Sequence, residues 1–129
     1  MLIVDSSVWI DFFAGRPLGH VQQLEAALLS GENVVVPDIV RLEVLSGVRD
    51  DAVLRKITAN LNALERLSAR DGDWDAAAGL YRLCRQKGIT VRSVVDCLIA
   101  RLAIREDGAL LASDRDFEMM ALHCPLRLA

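Results

Sequence analysis

The sequence predicts an α/β fold in which a central, mostly parallel sheet lies between layers of helices. Short apolar segments without charges alternate with longer segments whose apolar residues recur every three or four positions. The first pattern is typical of strands buried on both faces, and the second is typical of amphipathic helices. Their alternation favours a parallel sheet, because each crossover between parallel strands needs a connection that is usually a helix.

Five segments are predicted to be strands. The clearest are three short apolar runs that stop at Asp5, at Pro37 and just before Asp114. Strands are rarely longer than a few residues in small sheets, so runs of three or four suffice. The predicted strands cover residues 2–4, 34–36, 64–67, 109–112 and, as an edge strand, 126–128.

Capping residues and apolar periodicity predict six helices. Ser, Asp and Pro are favoured where a helix begins, and Gly is favoured just after it ends. Gly79 falls inside the fifth helix, where it costs about 1 kcal/mol relative to Ala. The predicted helices cover residues 6–15, 17–31, 38–47, 50–64, 71–88 and 93–107. The predicted capping residues are Ser6 or Ser7 for helix 6–15, Asp38 for helix 38–47, Asp71 or Asp73 for helix 71–88, and Ser93 for helix 93–107.

Length and composition predict one globular domain, residues 1–129. The chain is 53% hydrophobic and 26% charged, as in folded proteins. No apolar run approaches the ~18 residues of a membrane span, and the first residues lack the basic region of a signal peptide. The cysteines Cys84, Cys97 and Cys124 have no metal-site spacing, so we expect free thiols in a reducing cytoplasm.

The net charge of −3 argues against a generic nucleic-acid binder. Residues 65–129, however, hold 10 basic and 10 acidic residues, whereas residues 1–64 hold 5 and 8. Part of the second half could form a local basic surface, or its cations could be solvated side chains of ordinary helix faces. The residues concerned are Arg82, Arg85, Lys87, Arg92, Arg101 and Arg105.

Four carboxylates stand in apolar surroundings, where a charge needs a partner or a metal. Asp5 and Asp114 follow predicted strands, and sites in open α/β sheets form at the carboxyl ends of strands. Glu43 and Asp96 interrupt apolar helical segments. If the four converge, a hard divalent cation such as Mg²⁺ would relieve their repulsion and could assist phosphodiester hydrolysis. The chain has only two histidines and no nucleophile-elbow, P-loop or dinucleotide-binding motif.

Each acid also has a purely structural interpretation. A carboxylate can cap a helix, pair with a nearby cation or lie in a turn. Seven further acids, Asp11, Asp38, Asp50, Asp51, Asp71, Asp73 and Asp75, are interpreted as caps or surface residues. Asp5 could accept hydrogen bonds from the amides of Ser7 or Val8, and Asp96 has capping-box spacing with Ser93. Glu43 could pair with Arg41 or another surface cation, and Asp114 could lie in an ordinary turn at 114–116.

Four blocks of the sequence together resemble the PIN-domain family, and within it the VapC-like branch. They read LIVDSSVWID at 2–11, PDIVRLEVLSG at 37–47, SVVDCLIARLA at 93–103 and LLASDRDF at 110–117. The blocks occur in the family's order and span nearly the whole chain. Two departures are Ser6, where the family more often has Thr, and Cys97, where a small residue such as Ala is common.

The resemblance implies a PIN-like α/β/α sandwich with a five-stranded parallel sheet. It implies that Asp5, Glu43, Asp96 and Asp114 form a catalytic Mg²⁺ or Mn²⁺ site, with Asp116 as a less firm ligand and Ser6 in support. It also implies a homodimer that cleaves RNA in the cytoplasm and is inhibited, in a toxin–antitoxin hetero-oligomer, by a VapB-type antitoxin. The RNA could be transfer, ribosomal or messenger RNA.

Three other functions remain open. A non-catalytic PIN-fold module could regulate by protein contact, although it would not need to keep four acids together. A PIN nuclease could act on another nucleic acid. A phosphorylated receiver domain also has acids at strand ends, but it normally carries two adjacent acids after its first strand. The aromatic residues Trp9, Phe12 and Phe13 could form a partner or dimer surface, or they could simply be core.

Overall fold

The computed structural model describes all 129 residues and contains five strands and seven helices. The strands are Leu2–Val4 (β1), Val34–Pro37 (β2), Glu65–Leu67 (β3), Ala109–Leu111 (β4) and Arg127–Leu128 (β5). The helices are Ser6–Phe13 (α1), Gly19–Leu29 (α2), Asp38–Ser46 (α3), Asp51–Asn62 (α4), Asp71–Gln86 (α5), Val94–Arg105 (α6) and Arg115–Ala121 (α7). None of the helices has the length and apolar character needed to cross a membrane.

The strands form one sheet in the order β3-β2-β1-β4-β5, and every neighbouring pair is parallel. β1 lies at the centre, with Leu2 opposite Val34 of β2 and Ala109 of β4. The predicted α/β fold with five parallel strands is therefore confirmed. Since all strands run the same way, the residues that follow β1 and β4 emerge side by side at one edge of the sheet.

The centre of the sheet is buried on both faces, as its uninterrupted apolar runs predict. All residues of β1 and β2 are buried, and α6 covers the sheet with a nearly continuous apolar surface. Trp9 is buried in α1 and stacks on Phe13, while Phe12 and Phe13 pack against the core. The core interpretation of these aromatic residues is therefore correct for Trp9, which is not available as a partner surface.

Several local predictions were wrong. Neither Ser6 nor Ser7 caps α1, because the N-cap residue is Asp5. Asp38 does not cap α3: it is the first residue of the helix, and its carboxylate accepts hydrogen bonds from Ser68 and Arg66 instead. Helix α7 was not predicted, because seven residues carry too little periodicity to distinguish a helix from a turn. Trp74 lies in α5, a helix predicted from its apolar periodicity, but 58% of the residue is exposed rather than buried.

Asp73 was interpreted as a cap or surface acid, but it is only 1% exposed. One of its oxygens accepts a hydrogen bond from the Arg70 amide at the start of α5, at 2.7 Å, which is a capping role. The same carboxylate accepts hydrogen bonds from Arg101 and Arg105 of α6. Burial alone would raise the pKa of Asp73, but these donors outweigh it and lower the pKa. The ion pairs thus connect α5 to α6, the helix that carries Asp96.

Candidate active site

Asp5 connects the central strand to α1. Its amide donates to the Leu111 carbonyl of β4, and its Oδ2 accepts hydrogen bonds from the Ser7 amide at 3.2 Å and the Ser7 hydroxyl at 2.6 Å. The predicted capping role is therefore correct, but it uses one oxygen only. The other, Oδ1, is enclosed and has no partner, in a side chain of a residue that is 4% exposed. Burial raises the pKa of Asp5, and the hydrogen bonds from Ser7 oppose this rise.

Asp114 and Asp116 lie just beyond β4, the strand next to β1. Asp114 is the N-cap of α7, and its Oδ1 accepts a hydrogen bond from the Asp116 amide at 2.9 Å. The segment is therefore a capped helix start rather than an ordinary turn. Asp96 is in the first turn of α6, where the Ser93 hydroxyl accepts from the Val95 amide. Asp96, Asp114 and Asp116 each present one carboxylate oxygen, and the three atoms lie within 4.8 Å of one another.

The surroundings of Asp96 make its ionisation costly. Burial, and then the nearby charges of Asp5, Asp114, Glu43 and Asp116, raise its pKa from an ordinary 3.8 to about 7. The structure gives its carboxylate no hydrogen bond and no cation, so the capping-box alternative with Ser93 is wrong. A carboxyl group whose pKa is raised towards neutrality by burial and by neighbouring acids is typical of functional sites.

Glu43 approaches the other acids from α3, a helix that packs against both α1 and α6. Its Oε1 is enclosed and has no partner. Burial raises the pKa of Glu43, the Ser6 hydroxyl lowers it, and the charge of Asp5 raises it again. The alternative pairing with Arg41 is wrong, because the Arg41 guanidinium donates to the Asn62 side chain at 2.7 Å. Ser6 thus lies beside Glu43.

We call Asp5, Glu43, Asp96, Asp114 and Asp116 the carboxylate cluster. Three buried side-chain nitrogen or oxygen atoms have no hydrogen-bond partner, and two of them are oxygens of this cluster, those of Asp5 and Glu43. A buried, unpaired carboxylate oxygen is costly unless something else supplies positive charge. Hard oxygen donors from several carboxylates are the ligands that Mg²⁺ and Mn²⁺ prefer. The donor set therefore fits a divalent cation.

The basic residues predicted to act together have separate roles. Arg101 and Arg105 pair with Asp73, as described above, so they do not belong to an open basic surface. Arg92 contacts the carboxylate cluster: its guanidinium donates to Asp114 at 2.7 Å and to Asp116 at 3.4 Å. The remaining three, Arg82, Arg85 and Lys87, are exposed along and just after α5.

The model of the PIN domain matches residues 2–122 of the chain. Ribonuclease VapC11 from Mycobacterium tuberculosis is 37% identical over 125 residues, which are 94% of this chain and 92% of that protein. The chain belongs to the PIN-domain family, in its VapC branch. Ribonuclease VapC19 from the same organism is 31% identical over 122 residues, covering 92% of this PIN domain and 94% of VapC19.

Solved structures share the fold of this PIN domain at low sequence identity. VapBC2 from Rickettsia felis, bound to a DNA fragment from its promoter, matches with a TM-score of 0.78 and 18% identity, covering 99% of this chain and 96% of that one. A toxin–antitoxin complex from Klebsiella pneumoniae matches with a TM-score of 0.73 and 17% identity, covering 91% and 90%. At these identities the likeness concerns the fold alone.

Sequence reasoning missed two residues of this PIN domain. Arg92 was recognised only as one member of a basic group, not as the cation that contacts Asp114 and Asp116. Asp73 was interpreted only as a cap or surface acid, and its pairing with two arginines was missed. A signal for that pairing did exist, because Arg101 and Arg105 lie four residues apart on a largely apolar helix, where a cation needs a partner.

Proposed function

We propose that this chain is a divalent-metal-dependent endoribonuclease, the toxin of a type II toxin–antitoxin pair. The observation that carries the proposal is the carboxylate cluster, with its two enclosed and unpartnered oxygens at the edge of the sheet. Relatives that are named ribonucleases and cover more than nine-tenths of the chain support the same activity. A non-catalytic module would gain nothing from holding these acids together.

Asp5 and Asp96 would be the firmest ligands of Mg²⁺, or of Mn²⁺ in its place, and Glu43 and Asp114 would complete the site directly or through water. Asp116 would contribute less directly. When bound, the cation would activate water and stabilise the charge on a phosphodiester. The chain's own contribution is orientation: the Ser7 donors fix Asp5, and the amide of residue 116 fixes Asp114.

Ser6 would support the site, and Asp96 would bind the cation only after losing a proton. The Ser6 hydroxyl, beside Glu43, would steady that carboxylate in the orientation that faces Asp5. The Asp96 carboxyl, with its pKa near neutrality, must give up its proton before it can bind a cation. Burial and the neighbouring acids thus favour the protonated form of Asp96, and a cation would have to displace that proton.

The toxin would act in the cytoplasm and would have an RNA substrate and protein partners. The substrate would be cytoplasmic transfer, ribosomal or messenger RNA. The chain would form a homodimer and would be neutralised by a VapB-like antitoxin in a toxin–antitoxin hetero-oligomer. Toxin–antitoxin complexes of the same fold support the antitoxin partner.

The test is cleavage of a small-RNA pool by the antitoxin-free protein with Mg²⁺, with Mn²⁺ and with EDTA. We expect cleavage that needs the metal, that Asp5→Ala abolishes and that Asp75→Ala leaves intact, because Asp75 is an exposed acid of α5 without a partner in the structure. Absence of both cleavage and metal binding in folded protein would favour the non-catalytic module instead. Equal cleavage of DNA would favour a nuclease with another substrate.

A further inference from the structure

Arg92 is the one basic side chain that the structure pairs with the carboxylate cluster. It lies between α5 and α6, directly before the N-cap Ser93. Its guanidinium spans the two acids beyond β4, reaching Asp114 Oδ1 at 2.7 Å and Asp116 Oδ2 at 3.4 Å. The side chain is nevertheless 73% exposed, so most of it projects into solvent at the edge of the acidic site.

Main-chain donors already hold the two carboxylates that Arg92 contacts. The Arg92 amide donates to Asp116 Oδ2 at 3.0 Å, and the Asp116 amide donates to Asp114 Oδ1 at 2.9 Å. These two bonds do not depend on the guanidinium and would survive its removal. Exposed ion pairs of this kind contribute little to stability, because water screens them. The guanidinium is therefore not needed to build the site and is free for another role.

We propose that Arg92 is a phosphate-binding residue for the RNA substrate, and that it pairs with Asp114 and Asp116 only while no divalent cation is bound. The inference rests on the proposed ribonuclease function. A cation bound among the acids would neutralise the charge that attracts the guanidinium and would repel it. A largely exposed arginine turns away at small cost, and its planar fork matches two phosphate oxygens.

The overall charge of the chain gives this role its importance. A protein with a net charge of −3 and a cluster of five acids repels a polyanion such as RNA. Arg101 and Arg105, which could have offset that repulsion, are committed to Asp73. Arg92 thus holds a positive charge beside the position where the phosphodiester would react. Binding of the metal frees its guanidinium from Asp114 and Asp116, so that it can bind a phosphate.

The first experiment measures metal affinity alone, by calorimetric titration of Mg²⁺ and Mn²⁺ into the full, antitoxin-free chain. Removing a competing cation should strengthen binding, so we expect Arg92→Ala to bind the metal about three- to tenfold more tightly than wild type. Arg115→Ala is the matched control, because Arg115 is an exposed neighbour of Asp114 that forms no ion pair in the structure. Weaker binding by Arg92→Ala, or an equal gain in Arg115→Ala, would overturn the proposal.

The second experiment measures binding of a mixed-sequence single-stranded RNA on ice, within a time that is too short for detectable cleavage. In Mn²⁺ we expect Arg92→Ala to bind this RNA about tenfold more weakly, and its salt dependence to fall by about 0.7 in slope, as for one lost phosphate contact. In EDTA the two proteins should bind alike. Arg92→Lys should restore part of the affinity, since it keeps the charge but loses the fork. Unchanged RNA affinity in Mn²⁺ would refute the phosphate role.

The two experiments separate this inference from the proposed function, because neither requires turnover. If wild-type protein cleaves RNA but Arg92→Ala binds metal more weakly, only the role of Arg92 is wrong, and the residue is a structural support. If wild-type protein neither cleaves RNA nor binds metal, the proposed function itself fails.

Discussion

Asp96→Asn should stabilise the metal-free protein while it destroys the proposed site. The pKa of Asp96 rises from an ordinary 3.8 to about 7, mainly through burial and the charge of Asp5. Since each pH unit of that difference corresponds to about 1.4 kcal/mol, ionised Asp96 lowers the free energy of unfolding by as much as about 4 kcal/mol. Partial screening by water reduces this figure, so we expect a gain of about 2 to 4 kcal/mol at pH 8 in the neutral variant.

The pH dependence of this gain follows from the direction of the shift. Above pH 7, Asp96 is ionised in both the folded and the unfolded chain, and the full cost is present. As the pH falls from about 7 to about 4, the folded protein takes up the proton first, and the cost declines. The gain from Asp96→Asn should therefore shrink to about 1 kcal/mol at pH 5 and vanish below about pH 4.

Urea unfolding in EDTA at pH 5 and pH 8 measures this gain directly. Asp75→Asn is the control: it replaces an exposed, unpaired carboxylate and should change stability by less than about 0.5 kcal/mol at either pH. Saturating Mg²⁺ should then stabilise wild type but not Asp96→Asn. A variant that is less stable than wild type at pH 8, or whose gain is the same at both pH values, would refute the reasoning.

Three further outcomes are expected. Asp73→Asn should lower the free energy of unfolding by about 3 kcal/mol, because it leaves Arg101 and Arg105 without their buried partner. A loss below about 0.5 kcal/mol in urea unfolding, which is typical of a neutral surface change, would contradict the buried network. Gly79→Ala should stabilise the protein by about 0.5 to 1 kcal/mol, as measured by thermal unfolding, since the added methyl group meets nothing within 4 Å. Destabilisation would contradict the open space on that face of α5. Mg²⁺ binding at pH 6 should release close to one proton, which comes from Asp96. Calorimetry in buffers of different ionisation enthalpy measures this release. No release would mean that Asp96 is already ionised.

The parts of the site that could be predicted from the sequence are those with a local signature. Asp5 and Asp114 each end an apolar strand, and Glu43 and Asp96 interrupt apolar helices, so an unfavourable charge was visible in a window of a few residues. The parallel sheet was predictable for the same reason: its strands are continuous apolar runs.

What could not be predicted depends on contacts between distant segments. The partners of the buried Asp73 carboxylate are arginines about thirty residues away in the sequence. They lie on a helix whose rotation about its axis the sequence does not reveal. The approach of Arg92 to Asp114 depends on the packing of α6 beside α7. Trp74 is exposed at the rim of a cleft that Leu98 and Leu102 of α6 also line, and periodicity alone cannot distinguish such a position from a buried one.

The strand order has a consequence for how the protein is made. β4 pairs directly with β1, yet a ribosome adds it about a hundred residues later. Until then β1 has an open side, and Asp5 and Asp96 lack the companions that follow β4. A growing chain therefore cannot assemble the carboxylate cluster until β4 and the residues that follow it have been added. Late closure of the sheet makes completion of the site one of the last events in the folding of a newly made chain.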